Sequence, residues 1–199
     1  IPDRLKMLGE GVEIMKQAWE TGSATLDGTY YQVDGAIVRP RPVQGGGIPF
    51  WIAGGGEKVT LKIAAKYASY TNFNGGVENF THKSEILRGH TDRLGRDFGE
   101  ITRSANFNTV IGETEAEVAD RLKAIEARVK PYVGDDAMER FMHSYRGGEA
   151  LVGTVEQVTE QLAGMRDAGM GYAIHYFPES AYDPSGVELF EQRVVPELA

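Results

Sequence analysis

Three consecutive glycines, Gly54, Gly55 and Gly56, are the residues of this sequence with the clearest chemical potential. They follow a short apolar run, and glycines let a backbone approach a ligand without a side chain in the way. A helical pattern begins after them, at about Glu57, and the free N–H groups of a first helical turn attract anions, most often phosphate. The turn therefore predicts an anion site. A tight strand-to-helix turn that binds nothing is the alternative, since glycine-rich turns are common.

Familiar catalytic and phosphate motifs are absent around this turn. The sequence has no P-loop, and Val59 stands where the third glycine of G-x-G-x-x-G would be. The G-x-S-x-G elbow of serine hydrolases is also missing. The chain contains no cysteine, which excludes a disulfide framework and a thiolate metal site.

Two Asn-Phe-Asn triplets form the second group of polar candidates. Asn72 and Asn74 belong to the first, and Asn106 and Asn108 to the second. Asparagine is unfavourable in strands unless its amide has a partner, so the triplets suggest polar groups directed into a shared cavity. The open alternative is that the triplets mark strand ends and loops.

The four histidines do not have the spacing of metal ligands. His82 and His90 lie on a predicted surface helix, where we expect solvated side chains. His175 lies in the last predicted strand, and the alternation of a strand would direct either His175 or Tyr176 into a barrel interior. A histidine that is satisfied within the core is the equally open interpretation.

The elements that position these residues follow from the periodicity of the sequence. An amphipathic helix opens the chain, and Asp27-Gly28 between β-prone runs predicts a hairpin. The predicted strands after it are 49–53, 69–74, 101–111 and 172–177. The predicted helices are 5–21, 57–68, 78–94, 114–130, 137–145, 154–169 and 185–194, with Thr114 and Thr154 as caps.

Strands that alternate with helices predict an α/β fold with a parallel sheet. About four βα units and a hairpin insertion correspond to half of a (β/α)₈ TIM barrel, whose usual size is roughly 250 residues. Half a barrel has exposed strand edges, so we expect either a missing first half or a homo-oligomer. A complete doubly wound sheet of four or five strands is the competing architecture.

Composition restricts the partners of the chain. The formal net charge is −8 without a basic cluster, which argues against nucleic acid. No apolar run approaches the roughly 18 residues of a membrane span. We therefore expect neither nucleic acid nor a membrane as a partner.

Several blocks of residues together resemble a known family. They are Gly28-x-Tyr30-Tyr31, Arg39-Pro40-x-Pro42-Val43-Gln44, Pro49-Phe50-Trp51-Ile52-Ala53-Gly54-Gly55-Gly56-Glu57-Lys58, Gly95-Arg96-Asp97 and Leu151-Val152-Gly153-Thr154. Their order is similar to the C-terminal part of luciferase-like monooxygenases. Within that superfamily the chain is most similar to the branch that uses the deazaflavin coenzyme F420. The resemblance covers nearly the whole sequence.

The resemblance implies one luciferase-like domain over residues 1–199 that forms the C-terminal half of a TIM barrel, the first half being missing. It implies a cytoplasmic oxidoreductase that transfers a hydride between coenzyme F420 and an organic, small-molecule substrate. An FMN-dependent monooxygenase is the first alternative. A non-catalytic flavin-binding or oligomeric protein is the second.

The resemblance also implies the cofactor site. In the family, the backbone of the glycine turn contacts the phosphate side of the cofactor. The corresponding cofactor-binding residues here are Ala53, Gly54, Gly55, Gly56, Glu57 and Lys58, with Asn72 and Asn74 as further candidates. The family's catalytic groups come from the first barrel half, so no catalytic residue is assigned, and no metal is expected. At Ser69 relatives usually have an acid, which puts any role of that position in doubt.

Overall fold

The computed structural model describes residues 2–45, 47–146 and 150–198, and the chain divides into two compact units. The first unit comprises Ile1–Asn72 and Lys83–Thr102, and the second comprises Phe73–His82 and Arg103–Ala199. Helix α3 (Val77–Leu94) and strand β5 (Thr102–Gly112) contribute residues to both.

The first unit opens with the predicted helix and hairpin. Helix α1 (Pro2–Thr21) ends where Gly22 takes a positive φ of 88°, a conformation that glycine adopts without strain. Strands β1 (Ser23–Asp27) and β2 (Gln32–Ile37) then pair antiparallel. Both predictions are confirmed, because amphipathic spacing and an Asp-Gly turn are strong local signals.

The carboxylate of Glu10 anchors the hairpin turn to α1. Its Oε1 accepts a hydrogen bond from the Thr29 N–H at 2.9 Å, and its Oε2 accepts from the N–H groups of Tyr30 and Tyr31, each at 2.9 Å. Desolvation raises the pKa of Glu10, but the three backbone donors outweigh it and hold that pKa below its ordinary value. The ionised carboxylate is therefore the form that the fold favours.

Replacement of Glu10 by glutamine is expected to lower the melting temperature at pH 7, because an amide cannot accept all three hydrogen bonds and directs N–H groups at backbone donors. The lowered folded pKa also means that the contribution of Glu10 is present at neutral pH and is lost as pH falls through that pKa. Thermal melts at pH 7 and pH 3 test this, with the exposed Glu85→Gln as the matched control. Equal melting temperatures for both variants at pH 7 would contradict it.

A parallel strand pair and a short helix surround the glycine turn. Strand β3 (Trp51–Ala53) pairs in parallel with β4 (Tyr70–Asn72), and α2 (Thr60–Tyr67) buries Leu61, Ala64 and Ala65. The predicted helix start at Glu57 is wrong, because residues 57–59 form a turn. The Leu61 N–H donates to the carbonyl of Gly56 at 2.9 Å, and no side chain caps α2 at Val59.

Strand β5 organises the second unit. Its Ser104–Asn108 stretch pairs in parallel with β7 (Tyr172–Tyr176), and its end from Thr109 pairs in parallel with β6 (Leu151–Thr154). Strand β6 was not predicted, because four residues are too few to show a period of two.

The helices of the second unit follow the predicted order, except that the short last helix was not predicted. They are α4 (Glu115–Val133), α5 (Asp135–Arg146), α6 (Val155–Asp167), α7 (Ser185–Arg193) and α8 (Val195–Leu198). Thr154 and Gln157 form a complete capping box on α6. Thr114 caps α4, but the Glu117 carboxylate bonds the N–H of Glu113, so the capping box predicted there is only half formed.

The prediction of an α/β fold with parallel strands is confirmed by these pairings. No closed barrel is formed by the residues that the structure describes. The C-terminal half-barrel and the single domain over 1–199 stay predictions.

Candidate functional site

The glycine turn between β3 and α2 exposes backbone amides. Gly54 has a positive φ of 117°, and its N–H donates to the carbonyl of Asn72 at 2.8 Å. That amide extends the sheet and does not face a ligand. The N–H groups of Gly55 and Gly56 make no hydrogen bond to other described residues. The backbone N–H groups that remain available to an anion are therefore those of residues after Gly54.

Helix α2 comes close to the turn, and the tightest approach is at Gly56. A Cβ on Gly56 would lie 2.8 Å from Oγ1 of Thr60, and one on Gly54 would lie 3.4 Å from Cγ2 of the same residue. The glycines thus bring the turn against the first residue of α2. The turn therefore lies beside the N-terminal, positive end of the α2 dipole.

The charges beside the turn also suit an anion. The Glu57 carboxylate is paired with Nζ of Lys83 at 2.6 Å, and the Glu57 carbonyl lies 2.8 Å from Nε2 of His90. Lys58 is exposed and makes no ion pair with a described residue. Because the Glu57 carboxylate is paired with Lys83, the positive charge of Lys58 is available to an anion. The residues at the turn therefore fit the phosphate group of a cofactor.

The structure separates the two asparagines of the first triplet. Asn72 is buried at the end of β4, in register with Ala53, so it lies with the glycine turn in the first unit. Asn74 is exposed and belongs to the second unit. The assignment of each to the cofactor stays a prediction.

Asn74 lines a polar cavity of the second unit with a volume of about 340 Å³. We call this the asparagine cavity; among the described residues, its lining is Asn74, Gly75, Asn106, Asn108, His143, Ser144 and Ala150. Three of the four triplet asparagines therefore meet in one cavity, as the sequence suggested. His143 and Ser144 of α5 were missed, because nothing in their local sequence connects them to strands far away in the chain.

His175 is half-buried and packs among aromatic rings. Its Nδ1 lies 3.0 Å from Oγ1 of Thr109, and its ring lies 5.5 Å from that of Phe107 and 4.5 Å from that of Phe190. Burial among these rings lowers its pKa to about 4, so the imidazole is neutral at pH 7. Tyr176, on the other face of β7, is 55% exposed. His175 also lines a second cavity of about 340 Å³ together with residues of α6 and α7, so both interpretations stay open.

No cluster of three or more possible metal ligands occurs in the described part of the chain. Among the described helices, none combines the length and the hydropathy that crossing a bilayer requires.

The sequence is similar to those of known enzymes. The model of the luciferase-like monooxygenase family matches residues 1–171. The F420-dependent glucose-6-phosphate dehydrogenase of Rhodococcus hoagii is 23% identical over 98% of this chain and 61% of its own length. The pyrimidine monooxygenase RutA of Rhizobium rhizogenes is 30% identical over 56% of this chain and 30% of its own.

Structural comparison agrees on the fold. An F420-dependent secondary alcohol dehydrogenase, solved with an F420-acetone adduct, has a TM-score of 0.75 at 18% identity. The match covers 100% of this chain and 63% of that one. The chain thus spans less than two thirds of the length of these relatives.

Proposed function

Since this chain belongs to the luciferase-like monooxygenase family, we propose that the protein is an oxidoreductase that transfers a hydride between coenzyme F420 and an organic substrate. The similarity to F420-dependent glucose-6-phosphate dehydrogenases along almost the whole chain supports F420 over other cofactors. The F420-dependent dehydrogenase among the similar structures supports the fold that this chemistry would use.

The glycine turn is the observation that carries the proposal. The amides of Gly55 and Gly56, with Lys58 beside them, would hold the phosphate side of the cofactor. Ala53 and Asn72 lie opposite each other at the ends of β3 and β4. The negative charge of Glu57 is neutralised by its ion pair with Lys83. The bound cofactor would supply the hydride chemistry, and the role of these residues is to fix its position.

Cofactor titration tests the proposal. Purified protein is titrated with F420 and, separately, with FMN, and binding is followed by cofactor fluorescence. We expect F420 to bind more tightly. Failure of both cofactors to bind would overturn the proposed function and favour the non-catalytic alternative.

An FMN-dependent monooxygenase is the second candidate, and the similarity to a pyrimidine monooxygenase favours it. The same titration separates the two. Tighter binding of FMN, with FMN identified by absorbance and mass after denaturation of the purified protein, would assign the chain to this second class.

We also propose that the protein is a homo-oligomer. Several large apolar side chains on strands are exposed, and exposed apolar surface favours association. They are Ile37, Trp51, Tyr172 and Tyr176. Sedimentation velocity at micromolar protein is expected to show a species larger than the 21.8 kDa chain. A stable monomer that unfolds cooperatively would contradict this expectation.

A further inference from the structure

We propose that the asparagine cavity binds an uncharged, hydrogen-bonding portion of the substrate and discriminates against phosphorylated compounds. This inference rests on the proposed function, because it assigns the substrate class of that reaction. The cavity is large enough, at about 340 Å³, for a small sugar or a single heterocyclic ring.

The lining groups are amides, an imidazole and a hydroxyl. An asparagine amide offers two N–H donors and a carbonyl acceptor, so it can pair with hydroxyl, carbonyl or lactam groups. The Asn108 side chain makes no hydrogen bond to another described residue, and a ligand can use all of its donors and acceptors.

The position of the amides is fixed by the backbone. Asn106 and Asn108 are two residues apart on β5, so their side chains leave the same face of the strand. In the parallel register with β7, Asn106 lies opposite Ile174 and Asn108 opposite Tyr176. Oδ1 of Asn74 accepts from the N–H of Asn106 at 3.4 Å, which holds the third amide beside the strand. Groups on a paired strand are well placed for selective binding.

The charge of the lining decides the substrate class. The described residues around the cavity include no lysine or arginine, and the imidazole of His143 is the group among them that can gain a positive charge, which is why the test below is set at pH 8. A phosphate monoester carries up to two negative charges, and removing it from water without a cation is costly. Proteins that recognise phosphate therefore supply arginine, lysine or a set of backbone amides. Neutral amides can bind hydroxyl and carbonyl groups without that cost.

This assignment separates the chain from its named relatives. Several similar proteins are glucose-6-phosphate dehydrogenases, whose substrate is a phosphate ester. The lining found here predicts that this protein shares their cofactor and not their substrate class.

Two matched pairs of probes test the inference. Glucose is compared with glucose 6-phosphate, and uracil with the anionic uracil derivative orotate. Dissociation constants are measured by ligand-detected NMR at pH 8, with and without F420. We expect the neutral member of at least one pair to bind ten times more tightly than its anionic partner.

Variants at Asn108 locate the binding. Asn108→Leu removes the amide. It is expected to weaken binding of the neutral probe at least tenfold, because the polar groups of the probe lose a hydrogen-bonding partner. Asn108→Lys adds a cation and is expected to shift the preference toward the anionic partner. Gln192→Leu and Gln192→Lys on the exposed face of α7 are the matched controls. They should change neither the affinity for the neutral probe nor the preference between neutral and anionic probes.

Three results would overturn the inference. They are equal or tighter binding of the anionic probes, binding of none of the four probes, and unchanged binding in an Asn108→Leu variant with a native circular dichroism spectrum. F420 titration of the same samples separates this failure from failure of the proposed function. Cofactor binding without the neutral preference rejects the substrate class alone, whereas absence of cofactor binding rejects the proposed function.

Discussion

Replacement of Gly55 by valine is expected to weaken cofactor binding by roughly ten- to a hundredfold. A branched side chain would keep the backbone of the turn away from the phosphate group. Each charge-assisted hydrogen bond that is lost costs about 1.5–3 kcal/mol, which corresponds to this loss of affinity. Fluorescence titration with F420 measures it directly.

The matched control for this variant is Gly45→Val. A Cβ at Gly45 meets no atom within 4 Å, and the residue lies in a loop of the same unit. We expect native affinity for this control. A folded Gly55→Val protein that binds F420 as tightly as the parent would show that the turn is purely structural.

The free energy of unfolding is expected to fall by about 3 kcal/mol between pH 6.5 and pH 4 because of His175. The folded state holds the pKa of this imidazole at about 4, whereas the unfolded chain has the ordinary value of 6.5. Between these values the unfolded chain binds a proton that the folded chain does not. The contribution of the neutral ring is therefore complete above pH 6.5 and is lost as the pH falls.

Urea unfolding at a series of pH values tests this for the parent and for His175→Phe. Phenylalanine keeps a ring among Phe107 and Phe190 but cannot titrate, so the acid-dependent loss should shrink by about 3 kcal/mol. The buried Thr109 hydroxyl then lacks its partner, and the double variant with Thr109→Val removes that cost.

The exposed Gln192→Phe is the control for the pH series, because glutamine does not titrate. It should keep the pH dependence of the parent. The prediction fails if His175→Phe and the parent lose stability in parallel as the pH is lowered.

Local signals in the sequence predicted most elements and failed where the structure depends on distant residues. The spacing of apolar residues in α1 and the Asp27-Gly28 turn need only near neighbours. The start of α2 was predicted too early. The turn of 57–59 is closed by the hydrogen bond from the Leu61 N–H to the Gly56 carbonyl, and the sequence has no capping residue there that would indicate it. Strand β6 forms through its pairing with β5, which a four-residue pattern cannot show.

The candidate sites also divide into features that local sequence predicts and features that depend on distant residues. The glycine turn was found from adjacent residues alone. The alternation of β7 established that His175 and Tyr176 lie on opposite faces, but it could not tell which face is buried. Only the packing of Phe190, from a helix later in the chain, shows that His175 faces the helices.

The pairing of β5 has a consequence for how such proteins diverge. The chain leaves the sheet after Gly112, forms α4 and α5, and returns as β6 to pair with the same strand that it left. Insertions, deletions and substitutions in this excursion can therefore accumulate without displacing β5. His143 and Ser144 lie on the excursion, whereas Asn106 and Asn108 lie on the strand. Evolution can thus exchange one wall of the asparagine cavity while it inherits the other unchanged.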